Sequence, residues 1–138
     1  MKKVIKPFKG LANIEFGMPL KQVQDMVNIH ESEETDKFLK ETKIFGDKID
    51  YVFNKDILVT FEMRYQNEVY FNDVDIFNAK DIDALLKGFK YETKKDYIHC
   101  QEIGMILMSF KKKDLTKREL WFYSKEMITE FETFLDVV

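Results

Sequence analysis

The side chains best suited to chemistry are few. His99 and Cys100 adjoin, and a thiolate beside an imidazole is a common nucleophile–base arrangement. Their surroundings read as a strand, Tyr97–Gln101, in which neighbouring side chains point to opposite faces, so the two are expected not to share a proton. One buried thiol and one satisfied or surface imidazole is the plainer expectation. His30, the second histidine, lies beside a polar stretch and reads as a solvated loop residue. Asp73 and Asp75 alternate on one strand face and are expected within reach of Glu62 across a β-meander. A hard cation needs more converging ligands than these, so a solvated acidic patch or a protein contact is the simpler reading.

Other chemistries leave no mark on the chain. The glycines at 10, 17, 46, 88 and 104 are too scattered for a phosphate loop. Ser32, Ser109 and Ser124 have no evident base and no strand–turn–helix elbow. The expectation is a protein without catalytic residues, cofactor or metal.

The elements that must position these residues follow from periodicity. Residues 1–15 read as an extended lead-in broken by Pro7 and Gly10. Pro19 suits the first position of a short helix whose stripe is Leu20, Val23, Met26 and Val27. Residues 31–37 read as a polar linker. Strands are then expected over 38–45 and around Ile49, Tyr51 and Phe53. The next strand pairs an apolar face of Ile57, Val59, Phe61 and Met63 with a mixed face of Leu58, Thr60, Glu62 and Arg64. Residues 68–77 continue the meander.

Asn78 is the expected N-cap of a second helix near Asp81–Lys87, which Gly88 stops. Strands over 97–101 and 104–110 follow, with Lys111-Lys112-Lys113 at a solvated hairpin tip. Residues 118–123 are read as a strand and 125–136 as a helix. The rival is one long helix starting at a Thr116/Glu119 capping box. Helix plus meander thus occurs twice, as units 14–77 and 78–124 of one domain with a C-terminal helix. The fold class is α+β, an antiparallel sheet with short helices on one face.

Composition bounds the partners. The chain has 138 residues, a net charge of −3, a single cysteine, and 13 Phe, 6 Tyr and 1 Trp. Mild acidity disfavours nucleic acid and suits a basic partner. Neither a signal peptide nor a membrane-spanning run is evident, and one cysteine fits a reducing compartment, so a cytoplasmic location is expected.

The segment Ile14-Glu15-Phe16-Gly17-Met18-Pro19-Leu20-Lys21-Gln22-Val23 resembles the I-x-F-G-M opening of small bacterial α/β-repeat domains. These are typified by the beta-lactamase inhibitor protein and include outer-membrane assembly lipoproteins. Many immunity proteins that neutralise contact-dependent growth-inhibition toxins are likewise small, acidic and cytoplasmic. The resemblance implies inhibition by binding to a protein, a basic toxin domain being the candidate, and names no target. Exported members carry signals and often disulfides, which this sequence lacks.

The expected contact residues are outward-facing rings and acids: Glu62, Tyr70, Asp73, Asp75, Trp121 and Tyr123. Carboxylates would steer a basic partner and aromatics would anchor it. A small ligand-binding or enzymatic domain, and a scaffold that only homodimerises, remain the rival readings.

Overall fold

A computed structural model describes residues 2–138. Its strands are β1 (Lys3–Lys6), β2 (Gly10–Leu11), β3 (Ile14–Glu15), β4 (Glu33–Asp36), β5 (Glu41–Phe45), β6 (Ile49–Asn54) and β7 (Ile57–Arg64). They continue with β8 (Val69–Phe71), β9 (Val74–Asp75), β10 (Glu92–Lys94), β11 (Tyr97–Cys100), β12 (Met105–Met108) and β13 (Glu119–Tyr123). The α-helices are short: α1 (Leu20–Val27), α2 (Ile82–Leu85) and α3 (Ile128–Phe131). The class is α+β. None of these helices is long and apolar enough to cross a membrane.

The main sheet runs β10-β11-β12-β13-β7-β6-β5-β4 and is antiparallel throughout. Two four-stranded meanders, β4–β7 and β10–β13, meet on their last strands, where Trp121 lies opposite Glu62. Each meander follows a helix, α1 or α2. Residues 119–123 are strand, one residue shorter than expected, and not part of a long helix: Asp114 caps only a 3-10 turn, Leu115–Lys117, which ends at Arg118.

The second sheet, β3-β2-β1-β8-β9, takes residues that the sequence reading assigned elsewhere. The lead-in supplies three of its strands, and β8 and β9 leave the first meander, β8 pairing with β1 in parallel and β9 with β8 antiparallel. Buried Gln66 holds this crossing: its Nε2 donates to the Lys48 and Arg64 carbonyls and its Oε1 accepts from Lys3 Nζ.

The large core fills the space between one face of the main sheet and the layer of α1, α2 and the small sheet. Ile44, Tyr51, Phe61, Phe122, Leu120 and Leu107 meet Val23, Leu85, Phe71 and Phe77 there. Phe61 stacks on Phe122, and Phe16 lies against both rings. Full burial of each such side chain is worth about 1.5–3 kcal/mol.

On α1, Val23 is buried but Met26 is exposed, so the apolar stripe is narrower than its spacing suggests. Pro19 is the N-cap of α1 and bridges to Ile57. Asp81, not Asn78, caps α2 by accepting from Ala84 N–H; Asn78 instead closes the 3-10 turn Ile76–Asn78 and accepts the Tyr65 hydroxyl. The polar stretch 31–37 contains β4, an exposed edge strand.

A β-bulge changes which side chains of β7 reach the core. Val52 faces Thr60 and Phe53 faces Leu58, leaving Val59 without a partner. One extra residue reverses the alternation. Leu58 therefore joins Phe61 and Met63 in the large core, and Val59 belongs to a smaller cluster on the opposite face.

That smaller cluster is covered by the C-terminal segment. The expected helix over 125–136 is divided into the 3-10 turn Lys125–Met127, α3 and the 3-10 turn Phe134–Asp136. Met127, Ile128, Phe131 and Phe134 pack against Ile106, Met108, Tyr97, Trp121 and Tyr123. Helices thus lie on both faces, α1 and α2 on one and α3 on the other.

Candidate functional surface

Strand pairing places one row of side chains across the face that α3 covers in part. Phe45, Asp50, Glu62, Trp121, Ile106, His99 and Glu92 are successive cross-strand partners from β5 to β10. The C-terminal segment lies over the Trp121–His99 part of the row. From Glu62 outward, charged side chains form the outer layer.

Two ion pairs organise that outer part. Lys43 Nζ donates to Glu62 Oε1 at 3.0 Å. Arg64 grips Asp50 with Nη1 to Oδ2 at 2.9 Å and Nη2 to Oδ1 at 3.1 Å, and Nη2 also reaches the Gly46 and Asp47 carbonyls. The Asp50 hydrogen bond is the largest cause of the raised Arg64 pKa, so this guanidinium stays charged. Phe45 stands beside the pairs at 49% exposure. A twisted sheet with paired charges and a protruding ring is already ordered, which lowers the cost of binding to it.

The six residues expected to form one contact patch fall into three places. Glu62 and Trp121 are direct cross-strand neighbours on this face, with Trp121 half-buried edge-on to Phe131 and Phe134. Tyr70, Asp73 and Asp75 lie on the small sheet, so the expected meeting of the two aspartates with Glu62 does not occur. Tyr70 is opposite Asp75, and Lys2 Nζ sits 4.8 Å from the Tyr70 ring centroid. Asp73 is an exposed turn residue with positive φ, and Asp75 Oδ2 accepts from Glu68 N–H and Asn78 Nδ2.

Tyr123, expected to face outward, is 0% exposed. Its ring stacks on Phe131 at 4.6 Å and its hydroxyl is 2.7 Å from His99 Nε2. The reason is coverage: the C-terminal segment closes over this end of the face.

His99 and Cys100 point to opposite faces. His99 joins Tyr123 beneath the C-terminal segment, and burial lowers its pKa. The Cys100 thiol is in the large core, where its Sγ donates to the Lys90 carbonyl, and burial pushes its pKa up to about 11. A protonated, enclosed thiol is a poor nucleophile. His30 is exposed, with Nδ1 3.8 Å from Asp25. No group of three or more His, Cys, Asp or Glu able to hold an ion occurs among the described residues.

Phe38 and Leu39, placed in a strand by the sequence reading, instead form the β4–β5 hairpin tip. Asp36 Oδ1 accepts both of their N–H groups, and Phe38 is 95% exposed. Asp36 two residues before Phe38 is the turn signal that locates the tip. For Phe45, the alternation with buried Ile44 marks an outward ring.

A cleft of about 810 Å³ opens at the other end of the row, between β10, the β11–β12 turn and the C-terminal segment. Phe89, Tyr91, His99, Glu92, Glu102 and Glu132 line it with Lys90 and Gln101. Glu102 accepts the Lys90 backbone N–H, and the Tyr91 hydroxyl donates to Asp83. No protein-family model, curated protein or solved structure matches the chain.

Proposed function

We propose that this protein acts by binding another protein, as a cytoplasmic inhibitor of the immunity type that masks a cognate bacterial toxin without catalysis of its own. The observation that carries the reading is the half of the main sheet face left uncovered by the C-terminal segment. There an antiparallel surface displays Phe45 beside the Lys43–Glu62 and Arg64–Asp50 pairs, with the half-buried Trp121 at its border with the C-terminal segment. The paired meanders and the resemblance of residues 14–23 to inhibitor-type repeat domains add support. Glu62 and Trp121 remain in the proposed contact set, and Lys43 and Phe45 join it. Tyr70, Asp73 and Asp75 lie on another sheet, and Tyr123 is covered by the C-terminal segment beside the surface. The net charge of −3 favours a basic partner.

The test is affinity capture from the source cell, followed by growth rescue when the captured protein is co-expressed with this chain. Capture and rescue by the wild type, both lost on Phe45→Asp with Glu62→Lys, is the expected result. Equal rescue by a fully folded double variant contradicts the placement.

The cleft beside His99 favours a second reading, a small-ligand domain. Its volume lies in the range of ligand sites, and its three glutamates and two aromatic rings suit an organic cation. Thermal stabilisation by arginine but not by citrulline separates this reading from the first.

A further inference from the structure

Arg118, the residue just before β13, is 5% exposed and has no carboxylate partner among the described residues. Its Nη1 donates to the Phe77 and Ala79 carbonyls and its Nη2 to the Phe110 carbonyl, with the Phe110 ring centroid 4.7 Å from Cζ. These groups replace part of the hydration of a guanidinium but carry no net charge. Its Nε–H, also buried, has no acceptor at all. An unpaired buried cation is costly, and the cost falls when an anion approaches.

Arg118 forms part of the wall of a basin of about 510 Å³ whose other walls are Lys48, Arg64, Tyr65, Thr116, Lys117 and Glu119. Arg64 is neutralised by Asp50. Lys48 and Lys117 are exposed and form no ion pair among the described residues. Glu119 is the one acid in the wall. On a chain of net negative charge, the basin concentrates positive charge around a cation that lacks a counter-ion.

We propose that this basin is an oxyanion site, taking a phosphate or a carboxylate group against Lys48 and Lys117 and beside the Arg118 guanidinium. Two lysines supply mobile point charges at the mouth, and the buried guanidinium adds a fixed charge behind the wall. The assignment does not depend on the inhibitor reading, because it concerns the isolated protein.

The experiment follows the Arg118 Nε–H resonance of the 15N-labelled full chain during titration with sodium phosphate, and separately sodium acetate, against sodium chloride at matched ionic strength. A saturable shift with a dissociation constant in roughly the millimolar range supports the site. Saturation by phosphate alone assigns it to phosphate groups, and saturation by both assigns it to oxyanions generally, a partner's carboxylate included. The Lys48→Gln, Lys117→Gln double variant, which leaves every Arg118 bond in place, is expected to bind about tenfold more weakly. A response no different from chloride, or saturation unchanged in the double variant, overturns the proposal.

Discussion

Replacing Tyr123 with Phe isolates one atom of the layer that the C-terminal segment covers, next to the proposed contact face. The ring keeps its stack on Phe131 and its edge contact with Phe8, so only the hydroxyl opposite His99 Nε2 is lost. His99 is buried, and an imidazole nitrogen left without its partner costs about 1–3 kcal/mol. Tyr123→Ala also removes the ring and leaves a cavity, for a total of about 3–5 kcal/mol. Urea denaturation with a constant m-value measures both losses, and for a chain of this size each kcal/mol lowers Tm by about 3–5 °C. A cycle with His99→Phe is expected to give a coupling of about 1–2 kcal/mol, since the two side chains share the bond. If Tyr123→Phe stays within about 0.3 kcal/mol of wild type and the cycle shows no coupling, the buried pair is refuted. Tyr123 would then be the surface contact residue its sequence suggests.

Further outcomes follow from burial and backbone geometry. His99 has a folded-state pKa below the ordinary 6.5, so the unfolded chain takes up the proton first. The stability it contributes is complete above about pH 6.5 and is lost as pH falls through the lower folded value, a slope that should flatten in His99→Gln. Gly104 has φ +67, and a Cβ there would lie 2.7 Å from the Tyr123 carbonyl oxygen and 2.9 Å from the Phe8 ring. Gly104→Ala is accordingly expected to cost more than about 1 kcal/mol in a denaturant titration, and a neutral result contradicts that packing.

The strands around 49–63 and the apolar run at 105–108 were legible because a half-buried or buried strand imposes its pattern directly on side-chain type. Local alternation failed at Leu58 and Val59 because a bulge is set by pairing with β6, not by the β7 sequence alone. The cap of α2 was misplaced for a similar reason. Asn78 and Asp81 both suit a helix start, and only the 3-10 turn at 76–78 decides between them. The acidic stretch at 33–36 hid an edge strand, since edge strands carry charges that deter further pairing. Of the expected contact residues, Glu62 and Trp121 were paired across strands as their alternation allowed. The division of the others depended on long-range facts: β8 joins β1, and the C-terminal segment closes over Tyr123.

The most direct measurement is the affinity of the captured partner for wild-type protein and for Phe45→Asp with Glu62→Lys, by calorimetry at fixed salt. A buried aromatic anchor contributes about 2 kcal/mol or more, so the account predicts a loss of at least about thirtyfold at a temperature where the melting curve shows the variant still folded. Equal affinity in the two proteins would contradict binding through this face.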